Sequence, residues 1–139
     1  FYLFCDQETM FYAKPLAEKV GFKFWKPIIW DKINIGMGYH YRARHEYILF
    51  FEKGKRKLND LSIPDVLEFK RIYRGYPTEK PVPLLELLVK QSSVPGELIV
   101  DPFFGSGSTL LAAKNLERKY LGSDTATAAH EYFKNRLLK

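Results

Sequence analysis

The sequence has almost no cysteine and no long apolar run. Its one cysteine, Cys5, excludes a disulfide framework and a metal site built from several cysteines, and it favours a reducing compartment. No apolar stretch approaches the roughly 20 residues that a membrane-spanning helix needs. The N-terminal residues also lack the charged segment followed by an apolar segment that is typical of a signal peptide. We therefore expect a soluble, cytoplasmic protein.

Length, charge and histidine spacing narrow the class further. With 139 residues, 46% of them hydrophobic, the chain is long enough for one domain with its own core, residues 1–139, and too short for two. The net charge of +6 favours an anionic partner only slightly over a well-solvated surface. His40, His45 and His130 lack the spacing of metal ligands, so we expect no metal.

One segment, residues 96–124, predicts a strand, a glycine loop and a helix in succession. Residues 98–100 form a short apolar run rich in β-branched side chains, which is typical of a strand buried on both faces of a parallel sheet. Gly105 and Gly107 allow a tight turn after that strand. The Ser108-Thr109 pair is then expected to cap a helix.

The same segment predicts a nucleoside ligand. In open α/β sheets, ligands bind at the carboxyl ends of the strands and against a helix N-terminus. Asp124 follows Asp101 by roughly the 20 residues at which an acid commonly hydrogen-bonds ribose hydroxyls. The loop lacks both the Gly-Lys-Ser/Thr of a P-loop and the third glycine of a dinucleotide fingerprint, which disfavours phosphate and hydride transfer. The remaining ligand class is a nucleoside that carries a positively charged group, which Asp101 could bind. S-adenosylmethionine has both the nucleoside and the positive charge.

Three motifs carry a resemblance to a known family. Residues 101–109, Asp-Pro-Phe-Phe-Gly-Ser-Gly-Ser-Thr, resemble the cofactor motif of the DNA N-methyltransferases that modify adenine N6 or cytosine N4. Residues 76–85 are similar to that family's Thr-x-Lys-Pro segment. Residues 118–124 are similar to its second cofactor strand, which more usually ends Ile-Gly-Ile-Glu. The order, with the cofactor motifs last, resembles the permuted members of phage or restriction-modification type, and this chain resembles their C-terminal portion.

The resemblance implies a fold and a cofactor. The fold is a Rossmann-like α/β three-layer sandwich with a mostly parallel sheet, in which we expect one antiparallel strand among the later ones. The cofactor is S-adenosylmethionine. Thr78 and Lys80, which are among the expected cofactor contacts, have a second interpretation: Thr78 as a helix cap and Lys80 as a solvated lysine. The residues expected to bind the cofactor are Thr78, Lys80, Asp101, Phe103, Gly105, Ser106, Gly107 and Asp124.

Two stretches are candidates for contact with DNA. Residues 39–44 mix aromatic rings with fixed positive charge, which base stacking and phosphate contact require. The alternative is a surface hairpin whose tyrosines pack on the domain. The basic run at residues 53–57 is either a solvated face or a phosphate-contacting edge, within a short possible target-recognition segment, 53–75. The residues expected to contact DNA are Tyr39, His40, Tyr41, Arg42, Arg44, Lys55, Arg56 and Lys57.

The resembled family transfers a methyl group to the exocyclic amine of a flipped-out base, adenine N6 or, second in our expectation, cytosine N4. Its members hold that amine with an Asp/Asn-Pro-Pro-aromatic tetrapeptide, and no Pro-Pro pair occurs in these 139 residues. We therefore assign no catalytic residue. We expect the tetrapeptide upstream of Phe1 or on a separate chain. A non-catalytic nucleic-acid-binding remnant, half of a split enzyme, and a methyltransferase acting on RNA or protein remain alternatives.

Elsewhere the apolar pattern predicts the remaining elements. The segment 9–20 reads as a helix capped by Asp6 and ended by Gly21, with Phe11, Tyr12, Leu16 and Val20 at helical spacing. Further helices are predicted at 65–72, 83–91 and 125–139, and strands at 1–4, 24–30 and 47–51. We expect the helix at 83–91 to pack beside the strand at 98–100. The terminal helix is expected to bury Ala129, Tyr132, Phe133, Leu137 and Leu138.

Overall fold

The computed structural model describes residues 1–138, so Lys139, the last residue of the predicted terminal helix, lies outside the described residues. The chain divides into two compact units. One consists of residues 1–57 and 61–70, and the other of residues 58–60 and 71 onward. Organisation as a single methyltransferase domain stays a prediction. Over residues 1–138, no helix is long and apolar enough to cross a membrane.

The first unit is a four-stranded sheet with one helix packed on it. The strands are β1 (Tyr2–Cys5), β2 (Lys23–Asp31), β3 (His45–Glu52) and β4 (Val66–Glu68), and the helix is α1 (Gln7–Lys19). The order across the sheet is β1-β3-β2-β4. β3 is antiparallel to β1 and to β2, whereas β4 is parallel to β2. Three strands thus share one direction, and β3 is the antiparallel member.

Helix α1 has the predicted cap, but it begins at Gln7 and not at residue 9, and it buries a different face. The carboxylate of Asp6 accepts the Thr9 N–H at 2.7 Å, which confirms the predicted cap. Met10, Ala13 and Ala17 pack against the core of the sheet. The two alanines allow a close approach that larger side chains would prevent. The residues that follow the helical spacing in the sequence are exposed instead: Phe11, Tyr12, Leu16 and Val20.

The prediction of a helix at residues 65–72 is wrong, because this segment contains the short strand β4. Leu67 pairs with Trp30 of β2 and is buried. The indole N–H of Trp30 donates to the carbonyl of Phe69 at 2.8 Å, which holds the end of this segment on the sheet. Pairing with a distant strand has therefore overridden the local helical pattern.

The second unit contains the predicted strand, glycine loop, helix and strand. β5 (Leu98–Asp101) and β6 (Lys119–Gly122) are parallel, with α3 (Ser108–Asn115) between them in the chain. Two further helices are α2 (Val82–Ser92) and α4 (Thr127–Leu137). α2 packs mainly against α3, and not beside β5 as the sequence suggested.

Two predictions about burial in the second unit are wrong. β5 is not buried on both faces, because Leu98 and Val100 are each 56% exposed on the face that they share with Leu121. In α4, Ala129 is buried as predicted. Leu138, which the sequence predicts to be buried, is 79% exposed at the C-cap of the helix.

Candidate functional site

A tight loop joins the carboxyl end of β5 to the start of α3. Gly105 has φ of 50° and Gly107 has φ of 75°, so both occupy the left-handed region that favours glycine. A Cβ atom on Gly107 would overlap the ring of Phe133, whereas one on Gly105 would lie 3.6 Å from the ring of Tyr76. Gly107 is therefore required both for its backbone conformation and for the close approach of α4.

The start of α3 differs from the prediction that Ser108 and Thr109 cap it. The N-cap is Gly107, no side chain caps the helix, and Ser108 is its first residue. The buried hydroxyl of Ser108 lies 3.0 Å from that of Ser106. This contact joins the first residue of the helix to the loop. Both serines thus belong to the interior of the glycine loop.

Asp124 fastens the glycine loop to the end of β6. One carboxylate oxygen accepts the N–H of Gly105 at 2.9 Å, and the other accepts the N–H of Ala126 at 2.9 Å. The hydrogen bonds from Ala126 and then Gly105 lower the pKa of the Asp124 carboxyl from its ordinary value. Because a carboxylate offers about four acceptor positions, these two bonds leave acceptor capacity for a ligand hydroxyl.

The two phenylalanines of the loop point in opposite directions. Phe104 is buried and packs with Leu110 and Ala129. Phe103 is 85% exposed, and its N–H donates to the carboxylate of Asp101 at 3.1 Å. Asp101 thus shapes the first turn of the loop, while the exposed Phe103 ring is available for contact with a ligand.

Thr78 has an unusual backbone conformation. Its φ of 60° is rare for a β-branched residue. Its hydroxyl donates to the carbonyl of Pro77 at 2.6 Å, whereas the N-cap of α2 is Pro81 without a side-chain cap. The interpretation of Thr78 as a helix cap is therefore wrong. Strained residues of this kind cluster at ligand sites, where the surrounding structure holds them.

Sequence reasoning missed Glu79, which fixes the turn that carries Thr78 and Lys80. One carboxylate oxygen of Glu79 accepts the Tyr76 N–H at 3.0 Å and the Tyr132 hydroxyl at 2.7 Å. The hydrogen bond to Glu79 raises the pKa of Tyr132. The partners come from the turn itself and from α4, so no local pattern could have indicated them.

Sequence reasoning also missed Arg136. One guanidinium nitrogen donates to the carbonyl of Ser106 at 2.9 Å and lies 3.0 Å from the hydroxyl of Ser108. Another lies 3.3 Å from the carboxylate of Glu79. The only sequence signal is the spacing of four residues between Tyr132 and Arg136, which places both on one face of a helix.

Arg118, the first residue of the motif at 118–124, is a buried cation between helix ends. Its guanidinium donates to the carbonyl of Ser93 at 2.7 Å, to the Ser93 hydroxyl at 3.0 Å and to the carbonyl of Leu116 at 2.6 Å. Ser93 ends α2 and Leu116 ends α3. Arg118 thus donates to carbonyl groups at the ends of both helices, and the Ser93 carbonyl also accepts the Asn59 side-chain amide at 2.8 Å.

The candidate DNA-contacting loop lies in the first unit, between β2 and β3. The Arg44 guanidinium forms two hydrogen bonds with the Asp31 carboxylate, at 2.6 and 2.7 Å. Arg42 donates to the carbonyl of Gly36 at 2.7 Å. Both arginines therefore brace the base of the loop.

The aromatic residues of this loop are exposed. Tyr39 is 94% exposed and Tyr41 is fully exposed. His40 between them has φ of 56°, a left-handed conformation. The alternative in which the tyrosines pack on their own domain is not the arrangement found within the described residues. In the basic run, Lys55, Arg56 and Lys57 are also exposed.

The ion pair at the base of the loop gives a testable expectation. Hydrogen bonding to Arg44 lowers the pKa of Asp31. The pair therefore contributes stability above the unfolded pKa of about 3.9, and this contribution is lost as pH falls through the lower folded pKa. In an NMR titration of the Asp31 carboxyl carbon, we expect a midpoint below about 3.9, which Arg44→Ala raises towards that value. Equal midpoints in the two chains would show that Arg44 does not cause the shift.

Comparison with known proteins places the chain in a class. A family model described as DNA methylase matches residues 1–135. The chain therefore belongs to the DNA methylase family, and within it to the N6/N4 methyltransferases that give the model its name. The resemblance found in the sequence is confirmed.

Individual relatives agree with this assignment. Type II methyltransferase M2.DpnII of Streptococcus pneumoniae is 32% identical over 139 aligned residues, which cover 84% of this chain and 51% of the relative. The chain spans about half the length of the curated relatives it matches.

Solved structures confirm the predicted Rossmann-like α/β class. The M1.HpyAVI–SAM complex superposes with a TM-score of 0.83 at 29% identity, covering 97% of this chain and 73% of that chain. PvuII DNA methyltransferase, which is cytosine-N4-specific, gives a TM-score of 0.83 at 17% identity, covering 94% of this chain and 57% of that chain. The likeness to PvuII DNA methyltransferase shows the fold alone. The likeness to the M1.HpyAVI–SAM complex supports S-adenosylmethionine as the cofactor of this fold family.

Proposed function

We propose that this chain is the cofactor-binding portion of an S-adenosylmethionine-dependent DNA methyltransferase. Its reaction is methyl transfer to adenine N6 or, as the less favoured target, to cytosine N4. The observation that carries the proposal is the left-handed glycine loop at residues 105–107. This loop lies at the carboxyl end of the parallel strands and is fastened by Asp124. Ligands of open α/β sheets bind at such a position.

The residues of the loop fit this cofactor. The Asp124 carboxylate retains acceptor positions for ribose hydroxyls, and the exposed Phe103 ring offers an apolar surface for a base. Asp101 supplies negative charge for a cationic group. When bound, the cofactor would supply a methyl group activated by a sulfonium. The residues assigned to its binding are Thr78, Lys80, Asp101, Phe103, Gly105, Ser106, Gly107 and Asp124.

Contact with DNA is assigned to the first unit. The exposed rings of Tyr39 and Tyr41 suit base stacking, which is tolerant of sequence. The basic run supplies side chains for phosphate, and such contacts weaken steeply with salt. Arg44 contributes mainly by holding the loop through Asp31. The residues assigned to DNA are Tyr39, His40, Tyr41, Arg42, Arg44, Lys55, Arg56 and Lys57.

The group that holds the target amine is assigned to no residue of this chain. No Pro-Pro pair occurs in the 139 residues. Asp101 and Phe103 belong to the glycine loop by their hydrogen bonding. The proposal therefore requires another segment or chain to supply the tetrapeptide.

The absence of a Pro-Pro pair also favours a second candidate function, a non-catalytic nucleic-acid-binding remnant or half of a split enzyme. Both candidates require affinity for DNA, and only the first requires this chain to bind the cofactor.

Calorimetric titration with S-adenosylmethionine tests the proposal. We expect saturable binding to the chain and an affinity at least about tenfold lower in Asp124→Ala, because the variant loses both a ligand acceptor and the fastening of Gly105. Asp124→Asn keeps one acceptor oxygen and should fall between the two. Glu131→Ala removes an exposed acid of α4 and serves as the charge-matched control. Absence of binding in a folded chain would contradict the proposal and favour the remnant.

A further inference from the structure

We propose that Glu79 and Arg136 are positioning residues, which hold the two halves of the cofactor site in a fixed position relative to each other. One half is the turn that carries Thr78 and Lys80, and the other is the glycine loop. This inference rests on the proposed function and deepens it, since it assigns to α4 a part in cofactor affinity. Neither residue needs to touch the cofactor.

Arg136 acts on the glycine loop. Its guanidinium reaches the carbonyl of Ser106 at 2.9 Å and the hydroxyl of Ser108 at 3.0 Å. These groups flank Gly107, whose left-handed conformation sets the direction of the chain into α3. The planar, multiply donating guanidinium binds the loop and the Glu79 carboxylate together, and a lysine ammonium would reproduce this arrangement only in part.

Glu79 acts on the other half. Its carboxylate binds the N–H of Tyr76 and the hydroxyl of Tyr132, so it closes the turn in which Thr78 has its strained φ of 60°. A strained conformation persists only where surrounding contacts determine it. The contacts of Glu79 with the turn and with α4 hold Thr78 in this conformation.

The pair is shielded enough for its loss to matter. The side chains of Arg136 and Glu79 are 16% and 9% exposed. Removing one partner leaves the other charge largely buried and without its counterion, which is far more costly than breaking a surface pair. We expect the loop and the turn then to move independently. Apparent affinity falls in proportion to the population that keeps the binding geometry.

The test combines two readouts on the full chain. The first is the position of the Gly105 and Gly107 amide resonances in a ¹H–¹⁵N spectrum without cofactor, which reports the shape of the loop. The second is the dissociation constant of S-adenosylmethionine, measured by calorimetry well below the melting temperature. The variants are Arg136→Ala, Arg136→Lys and Glu79→Gln. Lys134→Ala is the matched control, because it removes an exposed basic residue of the last turn of the same helix.

In Arg136→Ala we expect both glycine resonances to shift and the affinity to fall about tenfold or more, whereas Lys134→Ala should stay within about twofold of the unmodified chain. Arg136→Lys and Glu79→Gln should give smaller changes in both readouts. These two variants also decide the question if Arg136→Ala does not fold. A residue that only stabilises the fold would lower the melting temperature and leave the affinity for S-adenosylmethionine unchanged.

Unshifted glycine resonances in folded Arg136 and Glu79 variants would overturn the inference, and so would unchanged affinity. The failure of the proposed function has a different signature. In that case the unmodified chain binds no S-adenosylmethionine, while the glycine resonances still show whether Arg136 and Glu79 shape the loop.

Discussion

Replacement of Gly107 with alanine is expected to lower the free energy of unfolding of the second unit by about 2 to 5 kcal/mol. The left-handed conformation costs an L-residue about 1 to 2 kcal/mol. Overlap of the new Cβ with the ring of Phe133 adds about 1 to 3 kcal/mol, because the ring or helix α4 must shift. Urea unfolding followed by circular dichroism measures the loss.

Gly96→Ala is the control that separates the two causes. Gly96 also has a left-handed φ, 86°, but a Cβ atom there would have no neighbour within 4 Å. Its substitution should therefore cost only the backbone contribution of about 1 to 2 kcal/mol. Equal losses in the two variants would show that the contact with Phe133 does not constrain the glycine loop.

Replacement of Trp30 with alanine is expected to destabilise the first unit by about 3 to 5 kcal/mol. Trp30 is 1% exposed, and its indole N–H donates to the carbonyl of Phe69. Its removal leaves a cavity and a carbonyl group without that donor. Because Trp30 precedes Asp31, which binds Arg44, the loss should also loosen the base of the aromatic loop. Urea unfolding followed by circular dichroism gives the energy.

The second tryptophan provides a matched comparison. Trp25 lies on the same strand but is 52% exposed, and its indole N–H donates to the carboxylate of Glu52 at the surface. Trp25→Ala should cost less than about 1 kcal/mol. A loss for Trp25→Ala as large as that for Trp30→Ala would contradict the assignment of Trp30 to the core.

The parts of the fold that the sequence predicts are those with local signals. The loop after β5 is recognisable because Gly105 and Gly107 supply conformations that other residues avoid. The cap of α1 is recognisable because Asp6 lies three residues before the N–H that it accepts. β4 could not be predicted, since its three residues form a strand only by pairing with β2.

The candidate site is predicted in part for the same reason. The loop and Asp124 follow from residue types at short spacing. The contact of Glu79 with Arg136 joins residues that are far apart in the sequence and of a kind usually found in solvent. Arg44 shows the reverse case, because its charge suggests phosphate contact while its partner in the structure is Asp31.

The most direct test of the central claim is a crystal structure of this chain with S-adenosylmethionine. We expect the sugar hydroxyls within hydrogen-bonding distance of the Asp124 carboxylate and the cofactor against the loop at residues 105–107. Cofactor bound elsewhere, or a loop that excludes it while calorimetry shows saturable binding, would contradict the assignment of the site.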